Sequence, residues 1–371
     1  MSESKHARNR PRWMPWAVLG GVLLVGGLAG GFIGAAINSS SASTTTPSSP
    51  SSSGSSGLSA CAVPSVANQV VPSVVTISVQ NGAQGGTGSG EVIRSDGYIL
   101  TNNHVIAAAA TGGSVDVLFS DGTTEPATIT GRDPQTDLAV IKVQPSHNLK
   151  VIQMGSSASA VVGQPVVVVG APLGLSGTVT SGIISALNRT IQVPGEDNST
   201  ALLVDAIQSD AAINPGNSGG AMVNCNGQLL GIPSAGATVP SPSGESSGGS
   251  IGLGFAIPID LAKTISDEII ATGSVTHSYF GLQTVPIPPA AAAQAGVSQG
   301  LYVQGVVPGS PAAQAGLREG DVITTINGQP ATSNTQLQEI TLTKRPGETV
   351  DIGYQRDGKS ATTKVTLGTQ P

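Results

Sequence analysis

The chain has 371 residues, of which 39% are hydrophobic, 10% charged and 3% aromatic, with 50 glycines, 25 prolines and 2 cysteines. At ~150 residues per domain this length allows two or three folded units. The apolar content excludes a disordered chain, and the scarcity of charge excludes a coiled coil or a nucleic-acid binder. Two cysteines exclude a disulfide framework, and no Cys/His cluster has zinc-ligand spacing, so no metal and no cofactor is expected.

The formal net charge is −6 but unevenly spread. Lys5, Arg8, Arg10 and Arg12 against Glu3 make residues 1–16 a basic head. Ala17 to Ile37 then runs 21 residues without a charged side chain, enough for a helix to cross ~30 Å of hydrocarbon. The cationic flank stays cytoplasmic, which puts the remainder outside a cell membrane that the chain spans once. A cleaved signal peptide would carry a shorter apolar core of ~7–15 residues, so an uncleaved anchor in the lipid bilayer is expected. Gly26, Gly30 and Gly34 share one helical face, read here as a glycine-rich anchor without a helix partner. Residues 38–62 are dominated by Ser, Thr, Pro and Gly and form a flexible tether. Leu58-Ser59-Ala60-Cys61 has the look of a lipoprotein cleavage box, but polar tether stands between it and the apolar core, which argues against lipidation.

From Val63 the pattern changes to short β-type runs between turn signals: Val74 to Val79, Val115 to Phe119, Leu138 to Val143, Val166 to Val169, Gly182 to Leu187 and Gln228 to Ile232. Such punctuation predicts barrels or sandwiches rather than βαβ units, and two such groups, over roughly 70–145 and 160–260, would make two six-stranded barrels. A helix over Ile259 to Thr272 closes the unit 63–273, with Asp260 as its cap, Leu261, Ile265 and Ile269 on one face, and Gly273 as its stop.

A second, α+β unit occupies 276–371. Leu301 to Val307 reads as a strand, and Ser310-Pro311 starts a short helix ending at Gly316. Asp321 to Ile326 is a strand broken by Asn327-Gly328. Ser333 caps a helix carrying Leu337 and Ile340, and two alternating strands flank Asp357-Gly358. Ala-Ala-Gln-Ala-Gly occurs twice, ending at Gly296 and Gly316, and both copies read as helix ends with a left-handed glycine.

Three segments carry the chemistry: Thr101-Asn102-Asn103-His104-Val105, Asp133 to Val140, and Asn214-Pro215-Gly216-Asn217-Ser218-Gly219-Gly220. A serine hydroxyl is a weak nucleophile unless an imidazole can take its proton, and a carboxylate behind the ring fixes the tautomer. Glycines beside Ser218 let the backbone aim amide N–H groups at a developing oxyanion. Taken singly, each piece has a bland reading. Asp133, before a proline, can simply start a turn, and His147 and His277 sit in connecting segments without a partner motif. The order His104, Asp137, Ser218 across two barrel-like groups is the joint signal.

At these residues the chain resembles the HtrA (Deg) family of chymotrypsin-fold serine proteases: TNNHV, DPQTDLAVIKV, QSDAAINPGNSGGAMVNCNG and GLGFAIP stand in family order. The resemblance implies an all-β chymotrypsin-like double β-barrel protease domain and a C-terminal α+β PDZ domain, preceded here by one transmembrane helix. It implies a serine endopeptidase acting on misfolded or tagged polypeptides in protein quality control. His104 would be general base, Asp137 its orienting acid and Ser218 the nucleophile, with the amides of Gly216 and Ser218 as oxyanion hole. Ile213 and Ala237 match the family's specificity-pocket positions, and both being apolar predicts small or medium aliphatic residues before the scissile bond. Tyr279-Phe280-Gly281-Leu282 matches the loop that captures C-terminal peptide carboxylates, with β-augmentation on the following edge strand and Leu282, Leu337 and Ile340 lining the terminal pocket, unless these are ordinary core residues.

Arg189 and the acidic stretch 194–200 fall where the family's regulatory sensor loop lies. PDZ-bound peptide or trimer contacts would favour the ordered oxyanion hole. Asn217 replaces the Asp before the nucleophile of digestive enzymes, so activation by a new N-terminus is not expected. The short Gly82 to Gly88 loop, a single PDZ unit and the anchor resemble the membrane-tethered branch of the family. The resemblance also implies a homotrimer. Cys61 and Cys225, in an oxidising compartment, either pair or remain two free thiols. The alternative reading is a chaperone or PDZ scaffold with incidental proteolysis. A solute-binding surface protein has no supporting motif.

Overall fold

The computed structural model describes residues 61–171, 177–196, 199–236, 239–240, 246–247, 250–295 and 298–371. The basic head, the expected membrane helix, nearly all of the tether, Ala237 and Gly296 lie outside the described residues. Among the described residues no helix is long and apolar enough to cross a membrane.

The chain enters through α1 (Val63–Val70), where β-type runs were expected. Pro64 sits in its first turn, where a missing N–H is harmless, and Val66 and Val70 are buried one turn apart. Cys61, just before the helix, is disulfide-bonded to Cys225, so the pair is closed rather than free. Gln69 Nε2 adds a hydrogen bond to the Asn226 carbonyl at 3.1 Å.

Strands β1 (Val74–Asn81), β2 (Gln84–Val92), β3 (Tyr98–Thr101), β4 (Ser114–Leu118), β5 (Thr124–Asp133) and β6 (Leu138–Val143) close into a barrel in the order β1-β2-β3-β6-β5-β4. Their alternation puts Ile77, Ile99, Val117 and Ile141 inside. Helix α2 (Asn103–Ile106) follows β3.

The second barrel uses β7 (Gln153–Met154), β8 (Pro165–Gly170), β9 (Thr178–Pro194), β10 (Thr200–Ser209), β11 (Ala221–Val223) and β12 (Gln228–Gly236). Strands β13 (Val239–Pro240) and β14 (Ser246–Ser247) pair separately, and β15 (Gly254–Pro258) rejoins the barrel. The order is β11-β8-β9-β10-β15-β12-β7, and β11 also pairs β12. Six strands therefore form a ring, and β7 adds to β12 in parallel as a seventh that the pattern did not foretell.

Helix α3 (Ile259–Thr272) stops at Gly273, which is left-handed with φ 81°. Ile265 and Ile269 pack into the core between the barrels. Asp260 is not its cap, as the sequence pattern had suggested: Pro258 holds that position without a side-chain bond. The Asp260 carboxylate instead accepts from the Ala158 N–H at 2.9 Å and the Ser156 hydroxyl at 3.0 Å, stapling that turn to the helix.

The C-terminal unit comprises β16 (Ser278–Tyr279), β17 (Leu282–Pro286), α4 (Pro289–Ala295), β18 (Leu301–Val306), α5 (Pro311–Gln314), β19 (Val322–Ile326), β20 (Gln329–Pro330), α6 (Asn334–Thr343), β21 (Thr349–Arg356), β22 (Lys359–Thr366) and β23 (Gly368–Thr369). Its main sheet runs β17-β18-β19-β21-β22, leaving β17 at an edge. Local chemistry explains the punctuation: Ser310 accepts from the Ala313 N–H, and Ser333 with Gln336 forms a capping box. Asn327-Gly328 and Asp357-Gly358 carry the positive φ pairs that two-residue hairpins need. Helix α4 runs through the first Ala-Ala-Gln-Ala copy, which the sequence marked as a helix end. Leu342 of α6 packs with Leu202 and Val204 of β10, and Arg345 bonds Glu268 of α3 at 2.7 Å, so the two halves share a seam.

Candidate active site

Asp137 ends the four-residue connection from β5 to β6 and takes a left-handed φ of 58°. Its carbonyl accepts from the Asn103 N–H at 3.1 Å and Asn102 Nδ2 at 2.8 Å, fastening it to the start of α2, where His104 sits. Its carboxylate accepts from the His104 backbone N–H at 3.0 Å, from His104 Nδ1 at 2.8 Å and from the Ser234 hydroxyl at 2.6 Å. A carboxylate only accepts, so Nδ1 carries the ring proton and Nε2 keeps its lone pair. The Asp137 side chain is 4% exposed and the His104 ring 41%, so the acid is shielded while the imidazole faces the cleft. Three donors stabilise the buried charge. Ser234 escaped the sequence reading; its only local signal is the Ser-Ala-Gly that ends β12, where the pairing with β15 shifts register.

Ser218 follows a turn closed by the Asn217 N–H on the Asn214 carbonyl at 3.0 Å. Pro215 and Gly216 are its central residues, and φ 96° at Gly216 makes the turn type II. A type I turn would flip the peptide that carries the Gly216 N–H. Ser89 of β2 fixes this loop from the other barrel: its hydroxyl donates to the Gly216 carbonyl at 2.6 Å, and its N–H donates to the Ser218 carbonyl at 2.9 Å. A side chain at Gly219 would collide with the Ser89 carbonyl. The Ser218 hydroxyl donates to the Ser234 carbonyl at 3.3 Å and makes no bond to His104. Rotation about its Cα–Cβ bond is the motion that would turn it toward the imidazole. Asn217 is buried; its Nδ2 donates to the Ala212 carbonyl at 3.3 Å, and its Oδ1 has no partner among the described residues.

His104, Asp137 and Ser218 line one cavity of about 690 Å³. Ile213, Gly236 and Phe255 form one wall, and Ile191, Val193 and Pro194 of β9 another. Ile213 is thus brought to the cavity, whereas Ala237 lies outside the described residues. Arg189 is exposed and forms no ion pair among the described residues. Its neighbour Thr190 donates to Glu339 of α6 at 3.3 Å. Burial, and then the negative charge of Asp205, raise the Glu339 carboxyl above its ordinary range. Within the acidic stretch, Glu196 accepts from Arg132 at 2.5 Å and from Asn103 Nδ2 at 3.0 Å.

Two histidines read as partnerless have partners. His277 is buried with Nε2 2.9 Å from Asp133 Oδ1, and His147 lies 3.6 Å from Asp121 and 3.7 Å from Glu125. His277 reaches Asp133 across 144 residues, and His147 meets its two acids from a different segment of the first barrel unit, pairings that spacing cannot reveal.

In the C-terminal unit, Tyr279 belongs to β16 and Phe280 is buried; the Phe280 carbonyl accepts from the Ala312 N–H at 2.9 Å. Gly281 has φ 78°, and a side chain there would strike Ser310. Leu282 opens the edge strand β17. Phe280 and Leu337 are core residues, against which Leu282 and Ile340 pack half-buried. Asn334 spans from α6 to β17, donating to the Thr284 carbonyl at 2.9 Å and accepting from its hydroxyl at 2.8 Å.

Fold and site together define a trypsin-like protease domain followed by a PDZ domain: residues 88–232 match the trypsin-like peptidase domain and residues 278–367 the PDZ domain. The chain is 45% identical over 314 residues to the serine protease PepD of Mycobacterium tuberculosis, covering 83% of this chain and 66% of the relative. It is 40% identical over 288 residues to the periplasmic pH-dependent serine endoprotease DegQ of Escherichia coli, covering 76% of this chain and 60% of the relative. A solved HtrA-type protease, AlgW with a decapeptide, superposes with a TM-score of 0.66 at 33% identity over 84% of this chain and 99% of that one. The chain belongs to the HtrA (Deg) family of serine proteases. It spans 60% to 66% of the length of the two relatives named first.

Proposed function

We propose that this protein is an extracytoplasmic serine endopeptidase that hydrolyses peptide bonds of misfolded or tagged proteins. The observation that carries the reading is the meeting, at one cavity, of His104 with its ring held by Asp137 and Ser218 from the opposite barrel. In this reading His104 Nε2 takes the Ser218 proton as Oγ attacks the carbonyl, Asp137 stabilises the imidazolium, and the same nitrogen returns the proton to the leaving amine. The Gly216 and Ser218 N–H groups bind the oxyanion, for which the type II turn is favourable support. Apolar Ile213 favours small or medium aliphatic residues before the scissile bond.

The PDZ unit binds peptide C-termini through the Tyr279–Leu282 loop, with the chain added to the β17 edge. Loop order at residues 189–200 responds to that peptide. Residues 17–37 anchor the protein in the cell membrane, with 1–16 cytoplasmic, 38–62 as tether, 63–273 as protease and 276–371 as PDZ domain, and the assembly is a homotrimer. The relative DegQ, named as periplasmic, supports an extracytoplasmic site of action.

A fluorophosphonate label, mapped by peptide mass, tests the reading. Labelling at Ser218 that is lost in Ser218→Ala, together with loss of casein cleavage, is the expected result. Unlabelled, uncleaving wild type that still binds C-terminal peptides would leave a PDZ scaffold instead.

A further inference from the structure

The loop that presents Asp137 is held at its other end by a second buried acid. Asp133, 3% exposed, ends β5, and its carboxylate accepts from the Gln135 N–H at 3.2 Å, the Thr136 hydroxyl and His277 Nε2 at 2.9 Å. Because the carboxylate only accepts, His277 donates through Nε2–H. His277, 6% exposed, lies between α3 and β16, in the segment that leads into the PDZ unit. Its own carbonyl accepts from the Gln370 N–H at 3.0 Å, and the Gln370 side chain accepts from Gln135 Nε2 at 3.2 Å. Strands β16 and β23 pair, so the two ends of the PDZ unit meet and together touch the connection 134–137. On the far side, the Gln135 carbonyl accepts from the Leu202 N–H at 2.9 Å.

A short connection whose last residue holds a left-handed φ without being glycine is strained, and persists only where its surroundings over-determine it. Here much of that surrounding grip comes from outside the barrel. We propose that His277 and Asp133 form a positioning pair through which the entry segment of the PDZ unit holds the loop presenting Asp137, and hence sets the orientation of the His104 ring. The pair touches neither substrate nor reacting atoms; it acts through the backbone of residues 134–137. It rests on the proteolytic reading above, and extends the catalytic constellation into the linker.

The test uses the full chain and steady-state hydrolysis of a peptide substrate, with active sites counted by the fluorophosphonate label. His277→Ala is expected to lower kcat about tenfold with KM within about twofold, since a small misplacement of an orienting group acts on the transition state rather than on substrate binding. His277→Gln, whose amide reaches the Nε2 position with a donor, is expected to recover most of the loss. His277→Asn keeps an amide but is too short to reach Asp133, and stands in for the alanine variant if that fails to fold.

An unchanged kcat in the alanine or asparagine variant overturns the proposal, and so does a glutamine variant as impaired as either at equal thermal stability. Hydrogen exchange separates this outcome from failure of the proteolytic reading. If wild type neither cleaves nor labels, faster exchange of the 135–137 amides in His277→Ala still supports the pair, and unchanged exchange there rejects it.

Discussion

Reducing the Cys61–Cys225 bond should destabilise the protein strongly while leaving its chemistry untouched. The bond joins residues 164 apart in sequence, so in the unfolded chain it closes a very long loop. Chain-entropy arithmetic for such a loop gives about 5 kcal/mol of denatured-state destabilisation, the upper end of what disulfides contribute. The native side of the balance changes little, because Val66 and Val70 bury α1 in the inter-barrel core and Gln69 bonds Asn226 independently. With a urea m-value of about 3 kcal/mol/M, the midpoint should fall by roughly 1.5–2 M for the reduced protein or for Cys225→Ser. The double variant Cys61→Ser/Cys225→Ser should be no worse than either single one, since one bond is lost in each case. The kcat per active site should remain within about twofold, because the effect lies in the unfolded ensemble. A midpoint moved by less than about 0.3 M, with two thiols titrated after reduction, would refute the loop-entropy reasoning. A large fall in kcat would instead mean that the bond shapes the nucleophile loop through β11.

Ser218→Ala and His104→Ala should each abolish measurable peptide hydrolysis without lowering thermal stability, and residual turnover above background in either would argue against the assigned roles. Ser234→Ala removes a donor to a buried carboxylate, a bond of about 1.5–3 kcal/mol, so kcat/KM should drop about tenfold or more; an unchanged value rejects the positioning role of that hydroxyl. A randomised peptide library should return Val, Ala or Leu before the scissile bond, and dominance of Arg or Glu would contradict the apolar pocket at Ile213. Glu91 is fully buried in β2 with both carboxylate oxygens unpartnered among the described residues, and burial holds its carboxyl well above the usual 4.5 of a glutamate. Unfolding lets it ionise, so it draws stability out of the native state as pH rises above about 4.5 and until the native carboxyl itself ionises. Glu91→Gln should therefore match wild type near pH 4 and exceed it at neutral pH, measured as urea midpoints; a gain independent of pH would dismiss this account.

Much of the architecture was legible because it rests on short-range preferences. Asn327-Gly328, Asp357-Gly358 and Gly273 must adopt positive φ, and Ser310 and Ser333 supply their own caps, whatever the rest of the chain does. Alternation of Val350, Ile352 and Tyr354 announces a strand because its period is set by backbone geometry. His104, Asp137 and Ser218 were likewise singled out by their order along the chain, and the fold brings them to one cavity. Helix α1 was not, because its eight residues, rich in valine, have little helical preference of their own and are held by burial of Val66 and Val70.

What the amino-acid order could not supply were the partners chosen by barrel closure and domain docking. Ser234 reaches Asp137 across 97 residues, Ser89 reaches Gly216 across 127, and His277 reaches Asp133 across 144. Asp260, well placed by pattern to cap its helix, serves a turn 102 residues away instead. Backbone preference is decided by a few neighbours and is therefore written locally. Which polar group satisfies which is decided by strand register and by the seam where two barrels and a PDZ unit meet, and those exist only once the chain has folded.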